Sequence, residues 1–168
     1  GGGGAYGCTL NNCTLTGNST SDPNSSGGGA YCCTLNNCTL IGNTSGGTPN
    51  GDTSDAGYGG GAAYCTLNNC TLTGNSAKGR TSGYGGGAYF CTLNNCTLTG
   101  NSASYQVYSQ FQRDSSGGGA YYCTMYSCIV YFNTALHDTN YASCTLNYCS
   151  TTPQPFFGMF GIGNNITN

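Results

Sequence analysis

The chain has no Glu, no Trp and a single His in 168 residues. Only eight side chains carry reliable charge: Lys78, Arg80, Arg113, Asp22, Asp52, Asp55, Asp114 and Asp138. General acid–base chemistry needs carboxylates, His or Lys in groups, so this scarcity excludes most enzyme sites. A net charge of −2 provides no basic footprint for nucleic acid. No apolar run approaches the roughly 18 residues that span a bilayer. The most apolar stretch, Pro155 to Gly163, is half that, so no membrane insertion is expected. The chain opens on four glycines rather than Met, which reads as a processed chain or a piece of a longer one.

What is abundant is Gly (30), Asn (20), Tyr (14) and Cys (13), and they recur in register. Gly2 to Ser19 reads GGGAYGCTLNNCTLTGNS, and near-copies start at Gly27, Gly59 and Gly85. A degenerate copy runs from Gly117 to Thr134, and a sixth keeps only ASCTLNYCSTT. The first Cys of each Cys-x4-Cys pair falls at 8, 33, 65, 91, 123 and 144. The uneven intervals are absorbed between the corner Asn and the next Gly triplet. A constant core with one variable corner is the signature of a solenoid.

Gly triplets, Thr and Asn disfavour helix, whereas Cys-Thr-Leu alternates with the period of a half-buried strand. Each copy predicts one coil. Cys8 and Leu10 point inward, Asn11-Asn12 form a corner, Cys13 and Leu15 point inward, and Gly17-Asn18 form the next corner. The Ala-Tyr segment supplies a third strand. The expected fold is an all-β parallel β-helix of about six coils over residues 1–152, followed by an apolar tail or cap over 153–168. Stacking at about 4.8 Å per coil gives a rod roughly 30 Å long.

Gly28-Gly29-Ala30, Leu15-Thr16-Gly17-Asn18 and Val130-Tyr131-Phe132-Asn133 resemble the Gly-Gly-Ala-Ile and Phe-x-x-Asn motifs of polymorphic outer-membrane-protein repeats. That resemblance implies a right-handed β-helix of the bacterial secreted or surface type. It implies fold, not activity.

The stacked model turns equivalent residues into ladders. One Asn row is Asn12, Asn37, Asn69 and Asn95; a second is Asn18, Asn43, Asn75, Asn101 and Asn133. Amides stacked this way hydrogen-bond along the axis; a ligand-binding polar row is the alternative. An inward, stacked Asn is a poor glycan acceptor even within an N-x-[ST] sequon, so the loop residue Asn24 is the candidate glycosylation site. Two Cys columns follow: Cys8, Cys33, Cys65, Cys91, Cys123, Cys144, and Cys13, Cys38, Cys70, Cys96, Cys128, Cys149. They read as buried small hydrophobes, ahead of strained vertical disulfides or a metal site. Cys32 stands outside both columns, as a free thiol or an intermolecular bridge. Outward Thr-x-Thr rows resemble ice-binding solenoid faces, but Thr is also a good strand residue. The Tyr column (Tyr6, Tyr31, Tyr89, Tyr121) either stabilises a sheet or offers a sugar platform, and the sequence does not place it inside or outside.

Arg113, Asp114, His137 and Asp138 are the one cluster resembling a catalytic group, with Asp52 and Asp55 a lesser one; all lie in variable corners, where charge is ordinarily solvated. No catalytic residue, cofactor or metal is therefore expected. The expectation is a passive extracellular or cell-surface rod that self-associates head-to-tail, as a fibre subunit or adhesin segment. Phe156, Phe157 and Phe160 are candidate assembly contacts. The alternative is a module that binds carbohydrate or ice.

Overall fold

The computed structural model describes residues 1–22, 24–46, 55–105 and 114–152, and the backbone at 166–167. These contain strands and no helix. Three stacks of short parallel strands run the length of the rod. The first contains Ala5–Tyr6, Ala30–Tyr31, Ala62–Ala63, Ala88–Tyr89, Ala120–Tyr121 and Tyr141–Ala142. The second contains Thr9–Asn11, Thr34–Asn36, Thr66–Asn68, Thr92–Asn94, Thr124–Tyr126 and Thr145–Asn147. The third runs from Thr14–Thr16 through Thr39–Ile41, Thr71–Thr73, Thr97–Thr99 and Ile129–Tyr131 to Ser150–Thr151, and then to Ile166–Thr167. Pairing is in strict register: Leu10, Leu35, Leu67 and Leu93 are successive partners. The fold is a six-rung parallel β-solenoid.

Alternation sets the core. Within each Thr-Leu-Asn or Thr-Leu-Thr strand the Leu is inward, and Leu35, Leu40, Leu67, Leu72, Leu93 and Leu98 are fully buried. The Cys of both columns from the second rung onward, and Ala30, Ala62, Ala88 and Ala120, complete the interior. At the sixth rung Tyr141 occupies the Ala position and is itself buried.

Every corner turns on one residue with positive φ, at 49–65°. After the Ala-Tyr strands these are Gly7, Cys32, Tyr64, Phe90, Tyr122 and Ser143. This explains the displaced Cys32: it is a corner residue, exposed and outside both columns. At the second corner the residues are Asn12, Asn37, Asn69, Asn95, Ser127 and Tyr148, and at the third Gly17, Gly42, Gly74, Gly100 and Phe132. The left-handed conformation costs an ordinary L-residue about 1–2 kcal/mol, which favours Asn and Gly at these positions.

The variable segments are more ordered than solvated corners. Ser19–Thr20, Thr44–Gly46, Ser76–Gly79 and Ser102–Tyr105 form a fourth parallel stack, and Ala56–Tyr58, Ser82–Tyr84 and Asp114–Ser116 a fifth. The two pack against each other through glycine. A Cβ on Gly83 would lie 2.3 Å from the Ala77 carbonyl oxygen, and one on Gly57 2.7 Å from that of Ser45. Only a bare backbone permits this approach.

Candidate functional surfaces

The corners show what the polar repeat residues do. At each one an inward side chain follows the left-handed residue and caps the turn. Cys65, after Tyr64, donates its thiol to the Ala63 carbonyl (3.2 Å) and accepts the Cys33 backbone N–H (3.3 Å). Cys70, after Asn69, donates to the Asn68 carbonyl (3.3 Å) and accepts the Cys38 N–H (3.4 Å). The turn takes the Cys N–H out of the sheet ladder and the sulfur of the next rung accepts it, while the carbonyls that receive the thiols also accept a backbone N–H from the preceding rung. The columns are therefore hydrogen-bonding caps as well as small hydrophobes. All 13 thiols are unbridged. Cys8 and Cys33 approach to 3.8 Å between sulfurs, beyond the roughly 2.05 Å of a disulfide bond. Burial pushes the Cys91 and Cys123 thiols well above their ordinary range.

The third corner uses Asn instead. The Asn75 Nδ2 donates to Asn101 Oδ1 (2.9 Å) and to the Leu40 carbonyl (2.9 Å), and its Oδ1 accepts both the N–H and the Nδ2–H of Asn43. Asn18, Asn43, Asn75, Asn101 and Asn133 repeat this pattern, and Asn140 closes the row at Asn133. Asn43, Asn75 and Asn101 are fully buried, so complete satisfaction is what makes them tolerable.

The other predicted Asn row is corrected by one residue. Asn12, Asn37, Asn69 and Asn95 are exposed corner residues, with a single long contact between Asn69 and Asn37. The continuous row is Asn11, Asn36, Asn68 and Asn94, linked at 2.8 Å. Its Asn-to-Asn bonds donate toward the first rung, whereas those of the buried row donate toward the last. The physical reason is the strand period: Asn11 stays in the extended strand facing outward, and Asn12 alone makes the turn. Those four sequon Asn are consequently not inward. Asn24 is exposed, but its Oδ1 accepts the Ala56 N–H.

Apart from the buried Tyr141, the described aromatics lie outside the core. Tyr31, Tyr89 and Tyr121 are half-buried on the first sheet, while Tyr64, Phe90 and Tyr122 stack as a second, exposed column at the corner. Where Ala63 interrupts the Tyr column, the Tyr64 ring contacts both Tyr31 and Tyr89 edge-on. Tyr89 and Tyr121 are nearly parallel, at 6°. Rings stacked along the axis spend their faces on one another, which leaves edges rather than a flat platform for a sugar. From the side layer, Tyr58 and Tyr84 complete a closed set of four. The ring centroids are 4.8 Å apart for Tyr58–Tyr89 and Tyr84–Tyr121, 5.8 Å for Tyr58–Tyr84 and 5.9 Å for Tyr89–Tyr121. Burial raises the phenols of all four, Tyr121 to about 12.

The carboxylates separate. Asp114 is half-buried and accepts the Tyr84 hydroxyl at 3.0 Å and that of Ser116 at 3.5 Å. His137 and Asp138 are exposed on the adjoining turn. Asp55 is buried rather than solvated, with Oδ1 on the Asn24 N–H (2.7 Å). Arg113, Asp52, Phe156, Phe157 and Phe160 lie outside the described residues. Among the described residues no group of three or more His, Cys, Asp or Glu is arranged to hold a metal. An open groove beside the side layer is lined by Ala103, Tyr105, Ser115, Thr134 and Leu136, with no charged side chain among the described residues that line it.

The chain matches no protein-family model and no curated protein sequence. The solenoid's own surfaces therefore carry the functional reading. The most unusual is on the fifth and sixth rungs. Tyr126, Ile129 and Phe132 replace Asn94, Thr97 and Gly100 of the preceding rung, and Tyr148 sits at the corner held by Asn on the first four rungs and by Ser127 on the fifth. All four are exposed, Phe132 by 82%.

Proposed function

We propose that this protein is a non-enzymatic, extracellular structural rod, a fibre subunit or adhesin segment whose rungs continue head-to-tail into a second copy. The observation that carries the reading is the exposed aromatic and aliphatic set on the fifth and sixth rungs, Tyr126, Ile129, Phe132 and Tyr148, an apolar surface suited to association. The rungs also repeat in strict register, with Leu10, Leu35, Leu67 and Leu93 as successive partners, so a rung of a second copy matches the spacing, the hydrogen bonds and the Leu and Cys columns. A heterologous contact of that geometry does not close and builds a filament. Low charge, capped corners and short strands suit a protease-resistant element outside the cell, in keeping with the resemblance to bacterial surface repeats. Size-exclusion chromatography with negative-stain imaging tests the proposal. Rod-on-rod filaments are the expected result; monodisperse monomers at high concentration, with first-rung amides exchanging freely, would sink it.

A further inference from the structure

The four-tyrosine cluster carries chemistry that a passive rod does not need. Tyr84 is the member with a base: its hydroxyl donates to the Asp114 carboxylate at 3.0 Å. Its ring lies 4.8 Å from that of Tyr121, tilted by 48°. Loss of an electron from a neutral phenol requires loss of its proton, and a hydrogen-bonded carboxylate is positioned to take it. The other three rings stand around the loop at 4.8–5.9 Å. They keep the oxidised ring within contact of a second phenol and half-buried from solvent.

We propose that Tyr84 is an oxidation site with Asp114 as its proton acceptor, and that it couples to Tyr121 as an intramolecular dityrosine. The oxidant class is a peroxidase acting with hydrogen peroxide. Each phenol gives up one electron and its hydroxyl proton, and the two phenoxyl radicals join through their ortho carbons. The two ring hydrogens then move to the oxygens, restoring both phenols. Hydrogen peroxide takes up the two electrons and two protons and leaves as two waters. The product fastens the side layer, through Ser82–Tyr84, to the main solenoid at Ala120–Tyr121. It does not depend on whether the rod stands alone or in a fibre.

The test treats the full chain with horseradish peroxidase and hydrogen peroxide, after alkylating the solvent-reachable thiols Cys8 and Cys32, which would otherwise reduce phenoxyl radicals. Dityrosine fluorescence gives the rate, and peptide mapping by mass spectrometry locates the bond. The expected product is a monomer lighter by two hydrogen atoms, joined at Tyr84 and Tyr121. Tyr84→Phe removes this cross-link. Asp114→Asn slows it on the order of tenfold at neutral pH, and its rate then climbs with pH as hydroxide replaces the missing base. A principal cross-link at Tyr58–Tyr89 or between chains, or a rate and pH profile unchanged in Asp114→Asn, overturns the proposal. Circular dichroism of both variants separates lost chemistry from lost fold.

Discussion

Gly87 lies directly against the amide of Asn101: a Cβ built on the glycine would stand 3.1 Å from the Asn101 side-chain carbon and 2.6 Å from the Gly119 carbonyl oxygen. Gly29 and Gly61 hold the same relation to Asn43 and Asn75. The Gly triplet and the buried Asn row are thus one device, the glycine opening the space that the amide fills. Gly87→Ala is expected to cost about 1–3 kcal/mol, because the obstructing atoms are backbone and a pinned amide. Urea denaturation measures it; an unchanged midpoint would show that the rung has room to shift.

The two Asn rows should behave differently. Asn75→Ala strips four hydrogen bonds and strands the Asn43 and Leu40 groups in a dry interior, with an expected loss of about 3 kcal/mol or more. Asn69→Gly, at an exposed corner with φ of 54°, should stay within about 0.5 kcal/mol of the parent. Paired denaturation curves check both, and a comparable loss in the two variants would contradict the assignment.

The thiol caps make an ordering prediction. Cys91 accepts the Cys65 N–H at 3.4 Å and donates to the Tyr89 carbonyl at 3.3 Å. Cys91→Ser retains a group able to make both bonds, whereas Cys91→Ala leaves a buried N–H without an acceptor, worth about 1–3 kcal/mol. Ser is therefore expected to be the milder change, measured by thermal or urea unfolding. If the thiol were only a small apolar filler, Ala would be the milder.

Alkaline pH should unfold the rod. Burial holds the Cys91 and Cys123 thiols well above 9.0, and raises Tyr121 and Tyr141 from 10.0 to about 12. The unfolded chain releases these protons first, so it binds fewer of them and gains on the folded state as pH rises. The contribution is complete below about pH 9 and declines above it, and for these tyrosines it is gone past about 12. Urea midpoints measured from pH 7 to 12, with tyrosinate absorbance followed in parallel, should fall together; a flat midpoint would refute this.

The three-strand coil, the inward Leu and Cys, and the buried Asn row were legible because alternation and stacking dictate them from identical letters. The identity of the outer ladder was not: Asn11 and Asn12 are the same residue type, and only the position of the left-handed φ decides which one stacks. The side layer was hidden for a different reason. Gly57, Gly83 and Ser115 have low strand propensity, and their strands exist because bare backbone permits two sheets to meet closely. The Tyr58–Tyr84–Tyr121–Tyr89 set follows from that packing and had no local signal, since it joins side-layer residues to main-sheet residues more than 30 positions away. The value of Tyr64 likewise appeared only in three dimensions, where it bridges the gap left by Ala63.

The opposed donor directions of the buried and outer Asn rows have an electrical consequence. Amides aligned one way would add their dipoles with length, as peptide units do in a helix, and each added rung would sharpen the potential at the tips. Here the row through Asn43, Asn75 and Asn101 points one way and the row through Asn36, Asn68 and Asn94 the other. Their fields largely cancel over the rungs they share, so that stretch can be lengthened without the growing end polarity that would otherwise bias or limit elongation.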